Sequence, residues 1–177
     1  MAENLNFETD SSYCYNDSAK YCSKYGRLYA WTAAMDSVGT WSTNGKGCGY
    51  GKACSPTYPV QGVCPSGWHL PTKAEFETLF TAVGGRSIAG QKLKSATGWR
   101  AYSVITNEDA FAFSALPAGS RIGYGSYEFE EYYAVFWSST EVSSDSAYYM
   151  RLDCDNDGAY LFARDKYNGF SVRCLKD

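Results

Sequence analysis

Apolar residues recur at helical spacing in the segment that follows residue 72. Four of them fall at positions i, i+3, i+4 and i+7 and therefore share one helix face: Phe76, Leu79, Phe80 and Val83. Thr72 is a typical N-cap, and Glu75, three residues later, completes a capping box. The pattern predicts a helix over residues 73–83. Weaker patterns predict helices over residues 28–35 and 88–95.

From about residue 111 onward, apolar and polar residues alternate with a period of two, as they do along a β-strand. This alternation predicts five strands, over residues 111–116, 134–140, 147–153, 159–164 and 170–175. We expect these strands to pair antiparallel. Because helices come first and strands follow, the order of elements predicts the α+β fold class.

Two of the predicted strands are joined by an Asp-Gly turn and should form a hairpin. Alternation turns one set of side chains towards the core: Tyr148, Met150, Leu152, Ala159, Leu161 and Ala163. It turns another set outward: Tyr149, Arg151, Asp153, Tyr160, Phe162 and Arg164. Exposed Tyr and Arg are favoured at binding surfaces, so we take the outward set as candidate ligand-binding residues. The alternative is that Tyr160 and Phe162 pack under a loop.

Composition limits the classes of function that the chain can have. Its 177 residues carry a net charge of −3 and are 45% hydrophobic, which predicts a single folded domain over residues 1–177. The chain contains no basic block and no apolar run of about 20 residues, so we expect neither nucleic-acid binding nor membrane insertion. Sixteen Tyr stand beside a single His, which favours recognition over catalysis and excludes a multi-histidine metal site.

Seven cysteines are many for a protein of a reducing compartment. Two close pairs, Cys14/Cys22 and Cys48/Cys54, lack the spacing of zinc sites and lie in loop-rich segments, so we expect short disulfide loops and an exported protein. The sequence alone does not fix the connectivity, and at least one of the seven thiols stays unpaired or pairs between chains. The chain opens without a signal-peptide pattern, so we expect it to be trimmed from a longer protein.

Several polar motifs have a structural and a chemical interpretation. His69 is the sole imidazole, and we expect it to form hydrogen bonds at the helix entrance rather than to act as a catalytic base. Glu128, Glu130 and Glu131 could serve a glycoside hydrolase, but three carboxylates on one segment are more typical of a solvated loop. The glycine-rich residues 45–51 lack the preceding strand, the following helix and the Gly-Lys-Ser/Thr sequence of a phosphate-binding loop. We interpret them as a plain loop.

An acidic turn resembles the start of a calcium loop, with oxygen ligands at alternate positions: Asp153, Asp155 and Asp157. A calcium loop needs a bidentate Glu at its twelfth position, where this chain has Arg164. We therefore favour an ordinary acidic hairpin turn and expect no cofactor. Calcium held with the help of distant ligands stays open as the alternative.

Six ordered segments span nearly the whole chain: Met1-Ala2-Glu3-Asn4-Leu5-Asn6, Tyr25-Gly26-Arg27-Leu28-Tyr29, Gly62-Val63-Cys64-Pro65-Ser66-Gly67-Trp68-His69-Leu70-Pro71-Thr72, Ala115-Leu116-Pro117-Ala118-Gly119, Phe136-Trp137-Ser138-Ser139-Thr140-Glu141 and Gly169-Phe170-Ser171-Val172-Arg173-Cys174. Together they resemble the Fibrobacter succinogenes major paralogous domain (FISUMP). That family consists of bacterial exported or surface proteins, often lipoproteins, without an established activity. The resemblance implies a disulfide-stapled C-type-lectin-like fold, with two main helices and a twisted antiparallel sheet.

The resemblance also implies how the cysteines pair. It predicts a long-range disulfide between Cys64 and Cys174. Two local disulfides, Cys14–Cys22 and Cys48–Cys54, would then leave Cys154 over. We expect Cys154 to be a buried, free thiol, because free cysteine is among the most buried residue types; a reactive thiol is the alternative.

These observations predict a non-catalytic, secreted or cell-surface domain that presents the outward hairpin face to a glycan or a protein. One alternative is a variable protein of a diversity-generating retroelement, since nearly every residue type between 142 and 165 is reachable by randomising adenines in Asn codons. The others are a carbohydrate-active enzyme and a structural surface module.

Overall fold

The computed structural model describes residues 1–102 and 105–177. Within them the chain forms four α-helices and a short 3-10 helix over Tyr15–Asp17. The helices are α1 (Ala19–Tyr25), α2 (Trp31–Ala34), α3 (Lys73–Ala82) and α4 (Ala89–Leu93). The strands are β1 (Ser12–Tyr13), β2 (Leu28–Ala30), β3 (Trp68–His69), β4 (Ser120–Ile122), β5 (Ser126–Glu128), β6 (Tyr133–Glu141), β7 (Ser146–Asp153), β8 (Ala159–Asp165), β9 (Gly169–Ser171) and β10 (Leu175–Lys176). The predicted α+β class is confirmed.

Most strands belong to one sheet with the order β1-β2-β9-β6-β7-β8, and the β4–β5 hairpin joins its β9 strand. The long antiparallel strands β6, β7 and β8 form its regular part. β9 lies parallel to β6, through Phe136 and Ser171, so the prediction of a wholly antiparallel sheet is wrong. The parallel pair arises because the chain returns to the middle of the sheet, between β2 and β6, instead of adding to the edge at β8.

Apolar side chains cover the central strands from both sides. On one side Met150 and Leu152 pack with Phe76 and Phe80 of α3, which is the helix face that the sequence predicts. Alternate positions of the same strands contribute to a second core with the loop-rich N-terminal region, and its largest members are Trp31 and Trp137. The central sheet is therefore buried on two faces, whereas a half-buried hairpin was expected.

A capping box begins helix α3, as the sequence predicts. Thr72 caps it by accepting a hydrogen bond from the amide of Glu75, and the Glu75 carboxylate accepts one from the amide of Thr72 in return. This reciprocal capping box satisfies two donors that the first helical turn leaves unpaired. Both the capping box and the helix are therefore confirmed, the helix ending at Ala82.

Three other predicted elements differ in the structure. Residues 28–35 begin as strand β2, because this strand pairs with both β1 and β9, and only the four residues of α2 are helical. Residues 111–116 form no strand: Asp109 accepts bonds from the amide and hydroxyl of Ser114, which closes a turn. Residues 170–175 divide into β9 and β10, and β10 leaves the main sheet to pair with β3.

Three disulfides have the pairing that the family resemblance implies: Cys14–Cys22, Cys48–Cys54 and Cys64–Cys174. The last joins the segment before α3 to the end of the chain, over a sequence separation of 110 residues. Cys154 is a buried free thiol, and burial raises its pKa. A thiol with a raised pKa is a poor nucleophile, which favours the structural interpretation of this cysteine.

A fully buried lysine holds the loops around the Cys48–Cys54 disulfide. The ammonium group of Lys166 donates to the carbonyl oxygens of Gly49, Lys52 and Ser144, at 3.1, 3.2 and 2.9 Å, and pairs with the carboxylate of Glu141. It also lies 4.6 Å from the centre of the Trp31 ring. One buried charge thus connects the end of β6, the turn that follows it and the N-terminal region.

Candidate functional site

The register of β7 against β8 fixes which side chains share the outward face of the hairpin. Tyr149 lies opposite Phe162, and Arg151 lies opposite Tyr160. Residues directly opposite each other on antiparallel strands project to the same side. The pairing therefore brings these four predicted site residues together on one face, and Arg164, two residues beyond Phe162, follows on the same side.

Two residues of the predicted outward set are buried. Tyr149 is only 8% exposed, because Trp137 and Phe170 pack against its ring at 6.2 and 4.7 Å between centroids. Asp153 is 6% exposed and forms an ion pair with Arg151, at 2.7 Å between Nε and Oδ1. The prediction that Tyr149 and Asp153 face solvent is wrong. Tyr149 belongs to the second core, and Asp153 is held among the polar side chains of Arg151 and Asn156.

The predicted inward set also needs a correction. Ala163 is exposed although the alternation turns it towards the core, and Leu161 is only partly buried. Both lie on β8, which is the edge strand of the sheet. The core that the sheet forms with α3 does not extend to Ala163 on this edge strand.

Aromatic rings and guanidinium groups form a continuous row of contacts across the outward face. We call this set the aromatic ladder: Phe129, Tyr133, Arg151, Phe162, Tyr160 and Arg86. The Arg151 guanidinium lies between the rings of Tyr133 and Phe162, at 4.7 and 4.8 Å from their centroids. Phe162 stacks with Tyr160 at 5.9 Å and 22°, and Arg86 lies 5.3 Å from the Tyr160 ring. At the other end Phe129 contacts Tyr133 at 4.6 Å.

Some members of the ladder reach solvent, and their neighbours pack against them. Phe129 is 43% exposed and Phe162 is 39% exposed, whereas Tyr133, Tyr160 and Arg151 are partly buried. Cation–π contacts of this kind fix a guanidinium and its flanking rings in one arrangement. The structure therefore excludes the alternative that Phe162 is covered by a loop, and it leaves Tyr160 half-covered.

Arg164 lies in a cleft beside the ladder. The cleft has a volume of about 260 Å³, and its wall includes the exposed side chains of Arg164, Tyr124 and Tyr167. Asn168 is buried and accepts a hydrogen bond from the amide of Gly123, which joins the β4–β5 turn to the turn after β8. The exposed arginine thus projects into a concave surface with two tyrosines rather than into open solvent.

The acidic turn between β7 and β8 is organised by a lysine. Lys94 is fully buried, and its ammonium donates to the carbonyl oxygens of Asp153 and Asn156, at 3.0 and 2.8 Å. No group of three His, Cys, Asp or Glu side chains suited to a metal ion occurs in residues 1–102 and 105–177, so Asp153, Asp155 and Asp157, the ligands of the calcium alternative, do not form such a group. The physical reason is that Arg151 engages Asp153 and that the ammonium of Lys94 binds the carbonyls of the turn.

His69 and Glu130 both make structural contacts. The Nδ1 atom of His69 lies 2.6 Å from Asp177, and its Nε2 atom lies 2.9 Å from Glu75. Burial alone lowers the pKa of His69, but the hydrogen bonds to Asp177 and Glu75 outweigh it, so the pKa is raised. Glu130 accepts a hydrogen bond from the Tyr25 hydroxyl at 3.0 Å and pairs with Lys24. The predicted hydrogen bonding of His69 at the helix entrance is confirmed.

One known protein family matches the chain over nearly its whole length. A family model of the Fibrobacter succinogenes major domain matches residues 1–176. The chain belongs to the Fibrobacter succinogenes major domain family. The match confirms the resemblance that the six sequence motifs carry. Neither the curated proteins nor the solved structures contain a significant match to the chain.

In this Fibrobacter succinogenes major domain, sequence reasoning missed several residues of the site. Tyr133 lies opposite Asp153 on the neighbouring strand, a position that strand pairing could have supplied. Phe129, Arg86 and Tyr124 come from loops, and no local pattern connects them with the hairpin. Across residues 1–102 and 105–177, every helix is too short or too polar to cross a membrane.

Proposed function

We propose that this domain is a non-catalytic recognition module of an extracellular or cell-surface protein. It binds a glycan, or alternatively a protein, through the aromatic ladder and the Arg164 cleft. The observation that carries the proposal is the ladder itself: exposed aromatic rings and arginines are held in one arrangement across paired strands. Preorganised aromatic and arginine side chains bind ligands with little loss of rotamer entropy.

The distribution of charge indicates the character of the ligand. Arg86, Arg151 and Arg164 bring three guanidinium groups to this face, and Asp153 neutralises one of them from below. Guanidinium groups bind carboxylate, sulfate and phosphate groups through paired hydrogen bonds. We therefore expect an anionic glycan to bind this face more tightly than a neutral one.

The disulfides support the cellular location that we propose. Disulfides form and persist in oxidising compartments, and in this chain they bridge six of the seven cysteines. We further propose a C-type-lectin-like arrangement for the fold. The β3–β10 pair and the Cys64–Cys174 disulfide, which join the end of the chain to the segment before α3, support it.

A glycan array tests the proposed function. The domain is applied, with and without calcium, to an array of neutral, sialylated, sulfated and uronic acid-containing glycans, together with two variants, Phe162→Ala and Arg164→Ala. We expect binding to acidic glycans that does not need calcium and that falls roughly tenfold or more in either variant, the size of a hot-spot loss.

The matched controls are Phe111→Ala and Arg100→Ala, because both side chains are exposed but lie outside the ladder and the cleft. The controls should bind as the unaltered domain does. Equal binding by Phe162→Ala, Arg164→Ala and the unaltered domain would refute the site. Selective, variant-sensitive binding to a purified protein instead of a glycan would assign the same face to a protein ligand.

A further inference from the structure

A second pair of exposed aromatic side chains lies in the N-terminal region. Phe7 and Trp41 are 48% and 39% exposed, and their rings meet edge to face, at 5.4 Å and 80°. Neither residue belongs to the aromatic ladder or to the Arg164 cleft. Large aromatic side chains are costly to expose, so a paired and exposed Trp and Phe need a physical explanation.

Buried polar groups fix both rings from below. Asp36 is 3% exposed, and its two carboxylate oxygens accept hydrogen bonds from three successive amides, those of Thr40, Trp41 and Ser42, at 2.9, 2.7 and 2.9 Å. The fully buried Tyr29 donates its hydroxyl to the carbonyl oxygen of Phe7 at 2.7 Å. The two exposed rings are thus held by the core, although each is on an irregular segment.

Trp41 lines two adjoining cavities of different character. One is a groove of about 620 Å³, with Leu5, Val63 and Cys64 among its apolar residues and the polar side chains of Gln61 and Ser66 beside them. The other is a pocket of about 180 Å³ with hydroxyl groups from Ser11, Thr32 and Ser37 and a carboxylate from Asp10. Trp41 and Thr40 contribute to both cavities, so a ligand that lies against the indole can reach an apolar wall and a row of hydroxyls together.

The charges of these cavities select against anions. No Lys or Arg lines either of them in the part of the chain that the structure describes, and the charged side chains of the pocket are the carboxylates of Asp10 and Asp36. Asp36 is occupied by its three amides, which leaves Asp10 as the acceptor for a ligand hydroxyl. A ligand that suits this lining is uncharged, has an apolar face and carries several hydroxyl groups.

We infer that the Trp41 groove and its adjoining pocket form a second binding site, whose ligand is a neutral saccharide. The apolar C–H face of a pyranose ring packs on the electron-rich face of an indole, because the ring quadrupole attracts C–H groups of partial positive charge. The hydroxyls of the sugar would then bond with Asp10, Thr40 and Ser66. The site differs in ligand charge from the arginine-rich ladder and does not depend on the function proposed for it.

Calorimetric titration of the disulfide-bonded domain tests the site. The probes are neutral oligosaccharides (cellohexaose, xylohexaose, mannohexaose and N-acetylchitohexaose), with hexagalacturonic acid as the acidic comparison. We expect at least one neutral hexasaccharide to bind and the acidic one to bind at least roughly tenfold more weakly. The Trp41→Ala variant should lose roughly tenfold or more in affinity for the neutral sugar, and Phe7→Ala should lose a smaller factor.

Two controls separate this site from the aromatic ladder and from unfolding. The variants Phe162→Ala and Arg164→Ala should bind the neutral sugar unchanged, even if the ladder binds nothing. Melting temperatures of Trp41→Ala and Phe7→Ala establish whether each variant is folded. If Trp41→Ala is unfolded, the test rests on Phe7→Ala. Absence of binding to all four neutral hexasaccharides, or equal affinity of the folded variants and the unaltered domain, would overturn the inference.

Discussion

The β6–β8 region and the N-terminal region, residues 1–70, are held together in different ways. In β6–β8, long antiparallel strands pair residue by residue, with seven aligned pairs between β7 and β8 alone. In residues 1–70 strands are two or three residues long, and disulfides and buried polar side chains replace the missing backbone pairing. Asp36 accepts three hydrogen bonds from loop amides, and Lys166 donates three to loop carbonyl oxygens. In the loop-rich region, disulfides and buried side chains thus hold backbone that strand pairing holds in the sheet.

We predict that the long-range disulfide between the N-terminal region and the end of the chain has the largest effect on stability. In the chain-entropy account, the Cys64–Cys174 disulfide, which closes a loop of 110 residues, contributes about 5 kcal/mol, and a short loop such as Cys14–Cys22 contributes about 2.5 kcal/mol. The double variant Cys64→Ala/Cys174→Ala should lose about twice as much free energy of unfolding as Cys14→Ala/Cys22→Ala. Denaturant unfolding measures both, and equal losses would contradict the account.

Lys166 tests whether buried charges replace backbone pairing around the Cys48–Cys54 loop. The variant Lys166→Met removes an ammonium that binds three carbonyl oxygens and leaves the Glu141 carboxylate without its partner. The free energy of unfolding should fall by about 3 kcal/mol, as when one partner of a buried ion pair is deleted. The exposed Lys176→Met is the control and should have little effect. Similar stability of the two variants would show that Lys166 is not a structural anchor.

A variant of Lys94 tests whether a buried ammonium also stabilises the turn between β7 and β8. Loss of its ammonium in Lys94→Met leaves the carbonyl oxygens of Asp153 and Asn156 without a donor and should cost about 2 kcal/mol. Because this ammonium already binds the turn, added calcium should not change the melting temperature of the unaltered domain. A calcium-dependent rise that disappears in Asp155→Asn would show that a metal site exists at the turn after all.

The smallest predicted effect concerns His69, which joins the start of α3 to the last residue, Asp177. Its pKa is raised above the ordinary value of about 6.5, so its contribution to stability is present below that pH and is lost as the pH rises through the raised value. The free energy of unfolding should therefore decline slightly with pH in this range. His69→Gln should flatten the decline. If the variant keeps the same dependence of unfolding free energy on pH, protonation of His69 is not linked to folding.

Local sequence patterns predict the elements that are stabilised by residues near them in the sequence. The capping box of Thr72 and Glu75 fixes α3, and alternation marks β6, β7 and β8 to within a residue or two. Tyr149 was assigned the correct face, yet its burial depends on Phe170, which arrives from a distant strand. Residues 28–30 become a strand for the same reason, because β1 and β9 lie on either side of them. Lys94 likewise acts on a turn far from it in sequence, so no local pattern signals its role.

We propose that the outward ladder and the adjoining Arg164 cleft bind a ligand and contribute little to folding. The most direct test compares affinity and melting temperature in one double variant, Phe162→Ala/Arg164→Ala. We predict that binding to the glycan identified on the array disappears while the melting temperature falls by no more than about 4 °C, equivalent to about 1 kcal/mol for a domain of this size. Retained binding, or loss of binding only together with unfolding, would contradict the account.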